Sequence, residues 1–153
     1  MAGWKSFGYK KRKAGMKTKN FHVGIKALII NNNKVLILQE NKKSTTAFSL
    51  PGGRIDEGEG IDHALKRELR EELGIKSYKK GKLLHVFERL DYGKKEASLM
   101  IIVYAVEANA SSIKLSHEHL SYRWVGRKDL SQFNIEGETL NPEIIMVLEK
   151  VLK

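Results

Sequence analysis

The stretch Gly53-Arg54-Ile55-Asp56-Glu57-Gly58-Glu59-Gly60, continuing as Ile61-Asp62-His63-Ala64-Leu65-Lys66-Arg67-Glu68-Leu69-Arg70-Glu71-Glu72-Leu73-Gly74-Ile75, decides how the rest of the chain reads. It is a glycine-rich loop, a run of strong helix formers without proline, and a glycine stop. At about 100° per residue, Glu68, Glu71 and Glu72 share one arc of the helix, and Lys66, Arg67 and Arg70 are expected on the other side. Like charges three and four apart repel by about 0.2–0.5 kcal/mol per exposed pair. Three carboxylates on one face therefore call for a cation, although a salt-bridged acidic surface helix would show the same pattern.

The ligand type narrows the cation. Carboxylates without cysteine or histidine in the arc suit magnesium, manganese or calcium rather than zinc. Magnesium usually shares its shell with water and phosphate oxygens. The helix N-terminus favours anions, but Asp56, Glu57, Glu59 and Asp62 make this one too acidic for phosphate without metal.

Gly53, five residues, Glu59, seven residues, Arg67-Glu68-Leu69, one residue, Glu71-Glu72, one residue and Gly74-Ile75 together resemble the Nudix box at every fixed position. The resemblance implies the Nudix fold, an α/β class in which a mixed β-sheet is sandwiched between α-helices. It also implies hydrolysis of a nucleoside diphosphate linked to another group, with Mg2+ as cofactor and Mn2+ as a substitute. By the same resemblance Glu71 and Glu72 are the main metal ligands, and Glu68 is a further ligand or the catalytic base. Arg67 and Glu59 brace the loop, and the Gly53 carbonyl is an additional ligand.

Working outward, 153 residues with 41% hydrophobic content fit one globular domain. We divide the chain into a basic N-terminal tail, residues 1–20, and a catalytic domain, residues 21–153. No apolar run approaches the ~20 residues of a membrane span, and no apolar segment near Met1 reads as a secretory signal. The absence of cysteine excludes disulfides, thiol catalysis and cysteine-bound metal. A cytoplasmic location is the expectation. The formal charge is +10, from 28 Lys and Arg against 18 Asp and Glu. The excess is concentrated at the start, where Lys5, Lys10, Lys11, Arg12, Lys13, Lys17 and Lys19 surround Trp4, Phe7 and Tyr9. Such a segment is a solvated tail or an arm for RNA or polyphosphate.

Phe21 to Ile30, the Asn31-Asn32-Asn33 turn and Lys34 to Gln39 read as a β-hairpin. The polar residues Lys42 to Thr46 follow it, read either as candidates to reach a substrate phosphate or base or as an ordinary polar loop. Strands are expected over Lys82 to Arg89, Ser98 to Val106, Ile113 to Leu115 and Tyr122 to Val125. The unbroken apolar run Leu99 to Tyr104 predicts a central strand covered on both faces. Asn141 caps a closing helix with Pro142 in its first turn.

Outside the box, Glu118 is the first candidate for an acidic residue completing the metal site or acting as base, and Glu96 the second. His117 and His119 flank Glu118, but two histidines alone make a weak zinc signal, and Trp124 and His22 read as structural residues. Arg54 is a candidate for binding phosphate oxygens. The Leu-Ser-His-Glu-His segment, Tyr122-Arg123-Trp124 and Tyr92 are similar to asymmetric diadenosine tetraphosphate hydrolases, in which Tyr92 and Tyr122 would sandwich an adenine. Nucleoside triphosphates, sugar nucleotides and RNA 5′ ends are alternative substrates. A non-catalytic nucleotide- or RNA-binding module is the alternative of another class.

Overall fold

The computed structural model describes residues 19–42, 46–89, 98–135 and 137–153. The tail up to residue 18, Lys43 to Thr45 and the segment holding Tyr92 and Glu96 lie outside the described residues. The last two residues assigned to the tail are already attached to the domain. Lys19 pairs with Glu88, and the Asn20 carbonyl accepts from the Ser98 N–H at 3.2 Å.

The order of elements is β1 (Phe21–Asn31), β2 (Lys34–Glu40), β3 (Thr46–Ser49), α1 (Ile61–Leu73), β4 (Tyr78–Arg89), β5 (Ser98–Ala108), β6 (His119–Val125), a 3-10 turn (Arg127–Gln132), β7 (Glu138–Leu140) and α2 (Pro142–Val151). The strands run in the order β4-β5-β1-β2-β3-β7, with β6 also paired to β2. The expected hairpin is present only at its tip. Asn32 and Asn33 take the positive φ angles of a tight turn, 48° and 56°, and β1 and β2 pair only at Ile30↔Val35 and Asn31↔Lys34. Below that point the strands part. β1 runs parallel to β5 from Phe21 to Ile29, and β2 runs antiparallel to β6.

The glycine-rich loop fills the split. The N–H groups of Ile25 and Ala27 donate to the carbonyls of Gly53 and Pro51, both at 2.8 Å, and Ile55 N–H returns to the Val23 carbonyl at 2.8 Å. A backbone edge that would otherwise be buried and unpaired is satisfied in this way.

Alternation of side chains across the strands divides the core in two. Ile25, Ala27, Ile29, Leu36 and Leu38 pack against Ala64, Leu65, Leu69 and Leu73 of α1. Leu28, Val35, Ile37, Leu99, Ile101 and Val103 pack on the other side with Ile144, Val147 and Leu148 of α2. The mixed sheet between helices is thus the architecture expected from the sequence. Helix α1 ends at Gly74, whose φ of 70° is left-handed and whose N–H returns to the carbonyls of Leu69 and Arg70.

Two expectations are corrected, and two short strands were not expected. Ile113 to Leu115 is not a strand, because the neighbouring Lys114 and Ser116 N–H groups donate to the Leu73 and Glu72 carbonyls at the end of α1. β5 lies between two strands, but only alternate residues from Leu99 to Val103 are fully buried, so one of its faces is partly open. The short parallel pair β3 and β7 joins Thr46–Phe48 to Glu138–Leu140. Neither strand was legible beforehand, since three or four residues carry little periodicity.

Candidate active site

Helix α1 carries Glu68 and Glu72 inward, with relative exposures of 9% and 6%. Glu71, one position before Glu72, has a side chain 60% exposed. The arc drawn from the helical period therefore contains two buried carboxylates and one at its solvent rim. Arg67 belongs on the acidic side, which corrects its expected position. At about 100° per residue it lies only about 40° from Glu71, and its long side chain spans that gap.

The Arg67 guanidinium grips the loop. Its Nε and one terminal nitrogen donate to the two Glu59 carboxylate oxygens at 3.0 and 2.9 Å. The other terminal nitrogen donates to Glu68 Oε1 at 2.7 Å, and the Arg54 carbonyl accepts at 3.0 Å. Glu59 also accepts from the Asp56 N–H at 3.1 Å. The Arg67 hydrogen bond, then the Asp56 N–H, holds the Glu59 carboxyl down at about 2. Arg67 is correspondingly held more firmly protonated, first by Glu59.

The loop presses backbone against carboxylate. A Cβ on Gly53 would lie 2.3 Å from Glu68 Oε1, so a side chain there would have to push the Glu68 carboxylate aside. Gly52 has a φ of +121°, and a Cβ there would lie 2.1 Å from the Ile25 carbonyl oxygen. The Gly52 N–H donates to Glu72 Oε2 at 2.6 Å. The Gly53 carbonyl accepts from Ile25 and keeps a second lone pair.

These residues open onto a cavity of about 630 Å³. Glu68, Glu72, Gly53, Arg54 and Glu118 all line it, so the structure brings together most of the residues proposed from the sequence. Glu118 arrives at the end of the turn before β6, where its carbonyl accepts from Asn41 N–H at 2.8 Å. Tyr122 is not gathered into the site. It is 42% exposed, does not line the cavity and is paired with Leu38, which faces α1. Trp124 packs against the α1 cluster, as a structural residue should.

Several lining residues were not singled out from the sequence, Lys26 and Glu40 among them, and His119 was read only as part of a weak zinc signal. His119 has a side chain only 6% exposed, with Nε2 3.5 Å from Glu72 Oε1. Burial pushes its pKa down, Lys26 adds to this, and among the described residues its Nδ1 has no hydrogen-bond partner. Lys26 donates to the Gly52 carbonyl. The available signal was a lone cation inside the apolar strand Ile25 to Ile30.

Burial raises the Glu72 pKa to about 7, and the nearby Glu68 and Glu118 charges add to the rise. Among the described residues no three acidic or imidazole side chains form a ready cage for a metal. The donors nevertheless fit a hard cation that keeps water and phosphate in its shell. They are carboxylate oxygens beside a backbone carbonyl, and the like charge of Glu68, Glu72 and Glu118 is what such an ion would offset.

The model of the NUDIX domain matches residues 20–145. Over 139 residues, 90% of this chain and 98% of the relative, the chain is 31% identical to the 8-oxo-dGTP diphosphatase of Buchnera aphidicola subsp. Schizaphis graminum. It is 27% identical over 99 residues to the nucleoside triphosphatase NudI of Escherichia coli O139:H28, covering 60% of this chain and 70% of that one. The crystal structure of the MutT protein from Methanosarcina mazei Go1 superposes with a TM-score of 0.71 at 25% identity, covering 89% of this chain and 96% of that one. The chain belongs to the Nudix family and is a hydrolase of that family.

Proposed function

We propose that the chain is a divalent-metal-dependent pyrophosphohydrolase of nucleoside triphosphates. One observation carries the reading: the complete acidic motif closes on itself, with Glu72 bound to the Gly52 N–H and the Glu68 carboxylate filling the space a side chain at Gly53 would need. The relatives named for 8-oxo-dGTP and nucleoside triphosphate hydrolysis support the choice of substrate class. The dinucleoside tetraphosphate reading loses one of its two aromatic residues, because Tyr122 is away from the cavity; Tyr92 lies outside the described residues.

Charge balance explains the need for metal. The cavity is lined by the carboxylates of Glu40, Glu68, Glu72 and Glu118 and by the cations Lys26, Lys42, Arg54 and Arg89. These offset one another, leaving little net attraction for a polyphosphate. Glu68, Glu71, Glu72 and the Gly53 carbonyl would hold Mg2+ or Mn2+. When bound, such an ion neutralises phosphate charge and lowers the pKa of a water.

The remaining steps belong to the chain. Arg67 fixes Glu68 and the loop through Glu59. Arg54 offers a bidentate partner to phosphate oxygens at the cavity rim. Glu118 is assigned as proton acceptor, because it is solvent-exposed at the cavity wall whereas Glu68 is already bonded to Arg67. Attack of water on an anhydride phosphorus then breaks one P–O bond, and the proton passes to the carboxylate.

The test is product release from nucleoside triphosphates, 8-oxo-dGTP, dinucleoside polyphosphates, sugar nucleotides and triphosphorylated RNA, with and without Mg2+ or Mn2+. Metal-dependent cleavage with preference for triphosphates is expected. Binding without turnover on every substrate would instead identify a recognition module.

A further inference from the structure

A cation inside a buried strand is costly unless partners compensate for it. Lys26 sits between Ile25 and Ala27, both fully buried, and the alternation of the strand sends its side chain to the opposite face. There it lines the cavity that holds Glu68 and Glu72. It also lines a second, smaller cavity of about 350 Å³ bounded by Phe48, Leu140 and Ile144. Lys26 thus stands, with Glu40 and Arg89, at the join between the two chambers.

Among the described residues its hydrogen bond goes to backbone and not to the carboxylates. The ammonium donates to the Gly52 carbonyl. An ammonium has three donors and no acceptor, so this bond uses only part of its capacity. A positive charge beside Glu72 also works against any metal ion held there. Lys26 helps hold the Glu72 carboxylate ionised, but it adds no lone-pair donor atom for a cation. A site that must also hold an anion does gain from it.

We propose that Lys26 is a substrate-binding, specificity-determining residue: its ammonium takes a phosphate oxygen at the join of the two cavities, beside the carboxylate site but not through it. This rests on the phosphoanhydride reading above. It deepens that reading by having one substrate span both chambers, with its phosphates in the larger and its organic group in the smaller.

The test uses the full chain with Lys26→Met and Lys26→Arg, measured by calorimetry. The probes are Mn2+ alone, and inorganic tripolyphosphate or adenosine at saturating Mn2+. We expect Lys26→Met to weaken tripolyphosphate binding about tenfold, the loss of one charged hydrogen bond. Lys26→Arg should restore most of it, and adenosine binding should not change. Mn2+ alone should bind as tightly or more tightly, since a like charge has gone. Should the Met variant fail to fold, Lys26→Gln carries the same expectation, because it keeps a donor for Gly52 without the charge. Unchanged tripolyphosphate affinity, or a fall that only follows weakened Mn2+ binding, would overturn the proposal and make Lys26 a brace for the loop. Absence of turnover in the unmodified protein would sink the hydrolase reading while leaving these binding measurements decisive.

Discussion

The Gly52 N–H and Glu72 Oε2 lie 2.6 Å apart, and this bond joins the split in the sheet to the acidic face of α1. The loop that satisfies the edge of β1 is thereby the loop that holds a buried carboxylate. Fold and chemistry share the same few backbone atoms.

Metal-free stability should depend on pH through Glu72. Its pKa rises from an ordinary 4.5 to about 7 in the folded protein, so folding favours the protonated form. The resulting stability is full below about 4.5 and is lost as pH rises through about 7. The difference corresponds to about 3 kcal/mol. In EDTA, Glu72→Gln should be more stable than the unmodified protein at pH 8 and little different at pH 4.5, as read by thermal melts. The same variant should lose most metal-dependent turnover.

At Gly53 the obstacle is space. A methyl group would displace the Glu68 carboxylate from a position 2.3 Å away. Gly53→Ala should cost about 1–3 kcal/mol by overpacking. Its kcat should fall about a hundredfold, the order seen when active groups are moved by about 1 Å. A stable variant with full turnover would refute the close approach.

Arg67→Lys tests the loop brace. A lysine cannot reproduce the paired bonds to Glu59 at 3.0 and 2.9 Å. We expect faster hydrogen exchange over residues 54–59 and at least about a tenfold loss of kcat/KM, with the helix itself intact. Glu59, held at about 2, should keep the brace closed above about 4.5. The stability it contributes should be lost as pH falls toward 2.

Glu118→Gln separates the two proton-acceptor candidates. Loss of a general base typically costs about 10²–10⁴ in rate. The variant should show that fall in kcat while still binding Mn2+. A larger effect from Glu68→Gln at unchanged metal affinity would transfer the role to Glu68.

Much of this was legible in order along the chain. Helix formers, a glycine stop and alternating apolar residues report on local geometry, so α1, α2 and most strands could be drawn from neighbouring residues alone. The spacing of Glu59, Arg67, Glu68, Glu71 and Glu72 carried the family and the candidate ligands for the same reason. Ile113 to Leu115 misled because β-propensity cannot say which backbone groups will be nearby. Here they were the last carbonyls of α1.

The sequence by itself determined the acidic helix, its caps and the two-faced strands, because these depend on contacts within a few residues. Only the tertiary structure decided that β1 and β2 part below their turn and that the glycine loop enters the gap. It alone set Lys26 and His119 beside Glu72 and left Tyr122 outside. Those outcomes depend on strand pairing between distant segments, where a carboxylate's neighbours come from whichever backbone satisfies an open edge.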